Sequence, residues 1–182
     1  IEIRTADELV QFAADVNAGT GAQLMKAILM NDIDMKDVAW TPIGNGKFSG
    51  SVSGSNSHVS TYEGAAFMGT FDGQGYSIRN LKLVADLTAD QTAYGLFGIL
   101  DGATFKNLAI GAPEGDSSEL SFHSANGSDV GVIAGAVMSS TIENCVNYAP
   151  MHARGTGVDN VRATMGAFGG SVYADEEKGG SV

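Results

Sequence analysis

A single cysteine, Cys145, stands in 182 residues. This excludes an internal disulfide framework and leaves no CxxC pair for zinc or thiol exchange. Its mostly apolar neighbourhood marks it as a core residue. Basic residues are scarce: ten Lys and Arg against 21 Asp and Glu give a formal net charge of -11 and a pI near 4.4. A field of that sign repels nucleic acid and anionic membrane surfaces, so nucleic acid is excluded as a partner. Long apolar runs are absent: nothing approaches the roughly 18 to 20 residues of a membrane span, and no charged start with an apolar stretch behind it opens at Ile1. The abrupt opening at Ile1 and the finish at Gly179-Gly180-Ser181-Val182 read as a trimmed piece of something longer, with any export signal or anchor outside it.

Proline is also rare, at three residues, whereas glycine reaches 25 and is spread along the whole chain, which predicts many turns. With 43% hydrophobic residues the chain has material for one substantial core, and residues 1–182 are expected to form a single domain. One segment, residues 5–17, reads as a helix: Thr5 can cap it, Glu8 completes a capping box, and Leu9, Phe12, Ala13 and Val16 share a face. Asn17, Ala18 and Gly19 end it. In a chain otherwise written as strands, this helix is expected to cover the open apolar end of a stack.

Lys26 to Met35 reads as a strand, with Ile33 and Met35 alternating against Asp32 and Asp34. Trp40-Thr41-Pro42-Ile43-Gly44 turns the chain. Residues 46–64 are rich in Ser, Gly and Asn and read as a surface loop.

Beyond this point the chain repeats. Ala66-Phe67-Met68-Gly69, Gly95-Leu96-Phe97-Gly98, Val132-Ile133-Ala134-Gly135 and Gly166-Ala167-Phe168-Gly169 align on their last Gly, and the last three of these anchors lie 37 and 34 residues apart. A second unit, apolar–charged–Asn–apolar, follows the first three: Ile78-Arg79-Asn80-Leu81, Phe105-Lys106-Asn107-Leu108 and Ile142-Glu143-Asn144-Cys145. Its Asn comes nine residues after the anchor Gly in the second and third copies and eleven in the first. Repeats of 20 to 50 residues mean a solenoid, propeller or array. Without a second helix pattern, helical solenoids are excluded, and the unequal spacings fit coils with variable loops better than propeller blades.

Asn tolerates the left-handed backbone region that bends a strand sharply, and its amide can bond an identical amide one strand spacing away. The expected fold is therefore an all-β, right-handed parallel β-helix whose coils run from about 26 to 175. Asn80, Asn107 and Asn144 would form a ladder. Ile78, Phe105 and Ile142 would make one interior column and Leu81, Leu108 and Cys145 another, with Arg79, Lys106 and Glu143 pointing outward.

Phe71-Asp72-Gly73-Gln74-Gly75, Ile78 to Leu81 and Tyr94-Gly95-Leu96-Phe97-Gly98 resemble the GLUG repeats of bacterial surface proteins, including adhesin-like proteins of gut anaerobes and regions flanking IgA-cleaving proteases. The opening Ile3 to Leu9, with Asn31 to Met35 and Trp40 to Gly44, resembles the start of the same proteins, so the likeness runs from residue 1 to about 170. It implies a right-handed β-helix, export to the cell surface, and adhesion or polymer contact, and it implies no catalytic set. The third copy departs from the pattern, with Val132 and Ala134 where the motif has Gly and Phe.

The residues offer little chemistry of their own. His58, His123 and His152 lie in polar, loop-like stretches without metal-ligand spacing, so a surface position is expected and no metal. Asp32 with Asp34, Asp72, Asp129 and Asp175-Glu176-Glu177 lack the spacing of a calcium loop and read as a solvated rim, with Asp72 a turn residue. No nucleophile elbow appears, Cys145 lacks a base, and no cofactor is implied.

A polysaccharide lyase or hydrolase in a groove is the enzymatic alternative and would need paired carboxylates; Glu143 breaks the basic column of Arg79 and Lys106. A structural spacer is the third reading. The favoured reading is a non-catalytic surface module whose partner is a host glycan, mucin or matrix ligand. Its specificity would be carried by loops 46–64 and 111–129, and exposed Tyr62, Tyr148 and Tyr173 are expected to gather on one face.

Overall fold

The computed structural model describes residues 1–48, 62–87, 92–124, 128–155 and 163–173. It is mostly β, with parallel pairing dominant and one α-helix. The chain opens with β1 (Glu2–Ile3), helix α1 (Ala6–Asn17), a 3-10 turn at Ala22–Leu24, β2 (Lys26–Leu29), β3 (Ile33–Asp34), and the antiparallel pair β4 (Lys47–Phe48) and β5 (Tyr62–Glu63).

Strands then come in three sets of five. The first is β6 (Thr70–Asp72), β7 (Ser77–Arg79), β8 (Lys82–Leu87), β9 (Thr92–Tyr94) and β10 (Phe97–Asp101). The second is β11 (Thr104–Lys106), β12 (Ala109–Ile110), β13 (Glu119–Ser124), β14 (Ser128–Gly131) and β15 (Ala134–Met138). The third is β16 (Thr141–Glu143), β17 (Val146–Asn147), β18 (Met151–Gly155), β19 (Ala163–Gly166) and β20 (Gly169–Tyr173).

Each strand pairs in parallel with the strand at the same place in the next set. The sheets are ordered β1-β2-β6-β11-β16, β3-β7-β12-β17, β8-β13-β18, β5-β4-β9-β14-β19 and β10-β15-β20. The repeat read from the sequence is thus a repeat of structure. Lys26 to Met35 is not one strand: it bends after Leu29, and β2 and β3 join different sheets.

Helix α1 forms where the sequence predicts it. Thr5 is its cap, the Thr5 hydroxyl accepts from Glu8 N, and the Glu8 carboxylate accepts from Thr5 N. Leu9, Phe12, Ala13 and Val16 are its buried residues. Phe12 packs edge-on to Phe67, with ring centroids 5.8 Å apart, and lies 6.3 Å from Phe71. Phe71 stacks on Phe105 at 5.5 Å, and Phe97 stands edge-on to both. Burying a Phe side chain contributes roughly 1.5 to 3 kcal/mol, so this chain of rings ties helix and first two sets into one core. At its other end α1 is fastened through Asn17, whose side chain donates to Pro42 O and accepts from Gly44 N and Asn45 N.

Registers correct several expected columns. Ala27, Phe71, Phe105 and Ile142 lie in one row, so Phe71 rather than Ile78 precedes Phe105. Ile78 instead sits between Ile33 and Ile110, all three buried. Leu108 and Cys145 stay together, Val146 N donating to Leu108 O, whereas Leu81 faces Ser118, whose hydroxyl accepts from Leu81 N. Burial decides these rows: a shift of one residue would turn Phe71 to solvent.

The fourth anchor also slips by one residue. Ala134 lies opposite Gly169, which sets Gly170 and not Gly169 beside Gly135. Glycine is required at Gly135, where an added Cβ would stand 2.3 Å from Tyr94 N and 2.6 Å from Asp129 O.

Two stretches read as loops contain strands. The ends of 46–64 form β4 and β5, with 49–61 outside the described residues. The later part of 111–129 holds β13 and the start of β14, because Leu120 and Phe122 alternate inward with Ser121 and His123 outward, a period-two signal in a polar stretch.

Candidate functional site

The first candidate is the Asn turns at two neighbouring corners, where Asn107 and Asn144 lead from the β11 sheet to the β12 sheet and Asn80 leads from the β12 sheet to the β13 sheet. Asn80, Asn107 and Asn144 all hold left-handed backbone, with φ of 53°, 56° and 52°. Each ends a short strand whose chain must bend into the next sheet, and Asn adopts this region more readily than most residues. The expected three-Asn ladder is only partly formed. Asn144 Nδ2 donates to Asn107 Oδ1 at 2.8 Å, and Asn107 Nδ2 donates to Asp72 Oδ1 at 3.0 Å. Asp72, not Asn80, is the first member.

Asn80 belongs to a second ladder at the next corner. There its Nδ2 donates to Asp34 Oδ1, its backbone N donates to Asp116 Oδ2, and its Oδ1 accepts from Ser117. The eleven-residue spacing in the first copy, against nine elsewhere, was the available signal.

The acids of these ladders are committed to structure. Burial pushes the Asp72 carboxyl up, but donors from Asn107 and Gln74 N, with Lys106 and Lys26 nearby, outweigh it and hold it below its ordinary value. Asp116 is likewise pushed up by burial and brought below its ordinary value by Ser118, Asn80 N and Arg79. Asp34 is lowered chiefly by its bond from Asn80 and that from Lys36 N. Asp72 is therefore the last residue of β6, not a residue of the turn itself, although its carboxylate accepts from Gln74 N in that turn, and it is buried rather than part of a solvated rim.

Asp32 accepts from Ser77 N, and Asp129 is half-buried on β14. Asp175-Glu176-Glu177 lie outside the described residues. Among the described residues no group of three or more His, Cys, Asp or Glu is placed to hold a metal ion.

His58 lies outside the described residues. His123 and His152 are exposed, as expected, but on strands β13 and β18 rather than in loops; His152 lies opposite Ser121, so the two are diagonal neighbours on one face. Cys145 is half-buried against the core, and burial raises its thiol above the ordinary value. Of the expected outward charges, Lys106 and Glu143 share a row with Asp72, while Arg79 lies in another sheet beside Asp116.

The predicted tyrosine cluster is not formed. Tyr62, on β5, is half-buried and donates to Asp101 Oδ2 at 2.8 Å; burial first, then that bond, pushes its hydroxyl well above the ordinary value. Tyr148 lies in a different place, just after β17, and the side chain of Tyr173 is outside the described residues.

A different apolar surface appears instead on the sheet β3-β7-β12-β17. Since Ile78 and Ile110 point inward, Ser77, Ala109 and Val146 point outward. Val146 is 46% and Tyr148 47% exposed, and Tyr76, which precedes β7 of that sheet, is 38% exposed. Tyr148 follows two residues after Val146 and stands beside Gly111, which brings no side chain to the row.

A concavity of about 290 Å3 lies between α1 and the 39–45 segment. Val10, Ala14 and Trp40 form its walls, and the polar atoms of Asn17 beneath it are already bonded.

Among the described residues no helix is long and apolar enough to cross a membrane. No family model, no curated protein and no solved structure matches the chain.

Proposed function

We propose that the three sets of strands are successive turns of a right-handed parallel β-helix of the GLUG-repeat kind, and that the protein is a non-catalytic, adhesin-like module displayed outside the cell. The observation that carries the binding reading is the exposed apolar pair Val146 and Tyr148, with Ala109 beside Val146 on the outer face of the sheet. Tyrosines with an apolar ring and a wet hydroxyl suit the faces of sugars or a peptide surface. The sheet beneath is anchored from within by the buried Ile78 and Ile110.

The test is binding of the purified chain to an array of host glycans, mucins and matrix proteins, with each bound glycan checked for cleavage. Saturable binding to an intact ligand that Tyr148→Ala weakens by about tenfold or more is the expected result. Cleavage would replace this reading with a polysaccharide-degrading enzyme, and silence across the array with a structural spacer.

A further inference from the structure

The two ends of the molecule differ. At the first, Phe12 of α1 covers the core and β4 and β5 close one sheet. At the other, no strand among the described residues pairs with the outer side of β16, β17, β18, β19 or β20. Thr141 N donates to Ala103 O and Glu143 O accepts from Asn107 N, so the intervening Ile142 turns its N–H and C=O to that outer side. Val146 N and Tyr148 N donate to Leu108 O and Ile110 O, which leaves the Asn147 N–H outward in the same way.

The amide ladder has the same direction. Each Oδ1 accepts from the Nδ2 of the following set, and Asn144 Oδ1 is the last, with no donor among the described residues. Ile142, in the row of Phe71 and Phe105, is only half-buried.

We propose that the outer edge of β16 to β20 is a docking surface for one further repeat of the same kind, laid parallel, with a left-handed Asn one strand spacing beyond Asn144. The third set presents there what the second set presents to the third, so the new contact continues an interface already built twice. A second copy of this chain fits poorly. Its first strands carry α1 across their core, and two outer edges brought together would run antiparallel, out of step with the ladder. The inference rests on strand register and not on the binding reading, so the failure of one leaves the other standing.

The experiment extends the full chain by inserting, after Tyr173, a second copy of residues 102–138 or, as an independent junction, of residues 139–173. Amide exchange at Ile142 and Asn147 is measured in parent and extended chains, with mass in solution. The expected result is a monomeric parent in which both amides exchange freely, and an extended monomer in which they slow by about 100-fold. Changing the added copy's equivalent of Asn107 to Ala, in the first extension, is expected to undo most of that protection. Slow exchange in the monomeric parent would mean that its own residues cover the edge, and slow exchange in a dimer that a second copy does. Either would overturn the proposal, as would free exchange in both extended chains.

Discussion

Replacing Asn107 by Ala removes three supports at one position. Asn107 holds φ at 56°, a region in which a residue with Cβ and no local hydrogen bond is strained by about 1 to 2 kcal/mol. Its Nδ2 donates to the buried Asp72 carboxylate and its Oδ1 accepts from Asn144. A bond to a charged group contributes about 1.5 to 3 kcal/mol and one between amides about 1. The sum is about 5 kcal/mol, which for a chain of this size lowers the melting temperature by about 10 to 20 °C.

Two further variants separate these contributions. Asn107→Gly loses the same side-chain bonds but not the backbone comfort, and is expected to be more stable than Asn107→Ala by about 1 kcal/mol. Asn144→Ala loses one amide bond and its backbone fit at an exposed edge, and is expected to cost about 2 kcal/mol. Urea unfolding followed by circular dichroism measures all three. An Asn107→Ala cost below 1 kcal/mol, or one equal to that of Asn144→Ala, would refute the ladder as the element that holds the turns in register.

Asp72 makes stability depend on pH. Its folded carboxyl is held below the ordinary 3.8, so its contribution is complete above that value and is lost as pH falls below it towards the folded value. Asp72→Asn is expected to flatten this part of an acid titration of the unfolding midpoint. Gly135→Ala would drive a Cβ into Tyr94 N and Asp129 O, with an expected cost of about 3 kcal/mol or more, read as loss of the cooperative transition. Phe71→Ala opens a hole between Phe12, Phe97 and Phe105 and is expected to cost about 3 to 5 kcal/mol by the same assay. Tyr148→Ala, on the outer face, is expected to change stability by no more than about 0.5 kcal/mol, so any binding it loses is read without a folding correction.

The helix, its cap and its buried face were legible because they are local: Thr5, Glu8, Leu9 and Phe12 determine one another within a few residues. The repeat was legible for a different reason, the return of Gly and Asn at long intervals. What the letters misplaced was register. Matching Asn80 to Asn107 aligns two similar motifs, but the fold aligns what fills the interior, and Phe71 fills the place before Phe105 better than Ile78 does. The fourth anchor slipped for the same reason, since Gly169-Gly170 offers two glycines and only packing selects one.

Strand β13 was hidden because two inward residues, Leu120 and Phe122, are a short signal among serines and acids. Tyr148 is exposed as expected, but its neighbours could not be read, because the outward turn of Val146 and Ala109 follows from Ile110 facing inward.

Trp40 is the chain's one tryptophan, and its indole N–H reaches Gly95 O at 3.3 Å and Leu96 O at 3.2 Å. The tryptophan fluorescence of this protein therefore comes from a single site where residues 55 and 56 positions apart are clasped together. Emission reports whether the opening segment is seated on the first set of strands, while circular dichroism reports every sheet at once. If the two denaturation curves coincide, the helix, its connecting segment and the repeats unfold as one body; an emission change at lower denaturant would reveal the clasp releasing first.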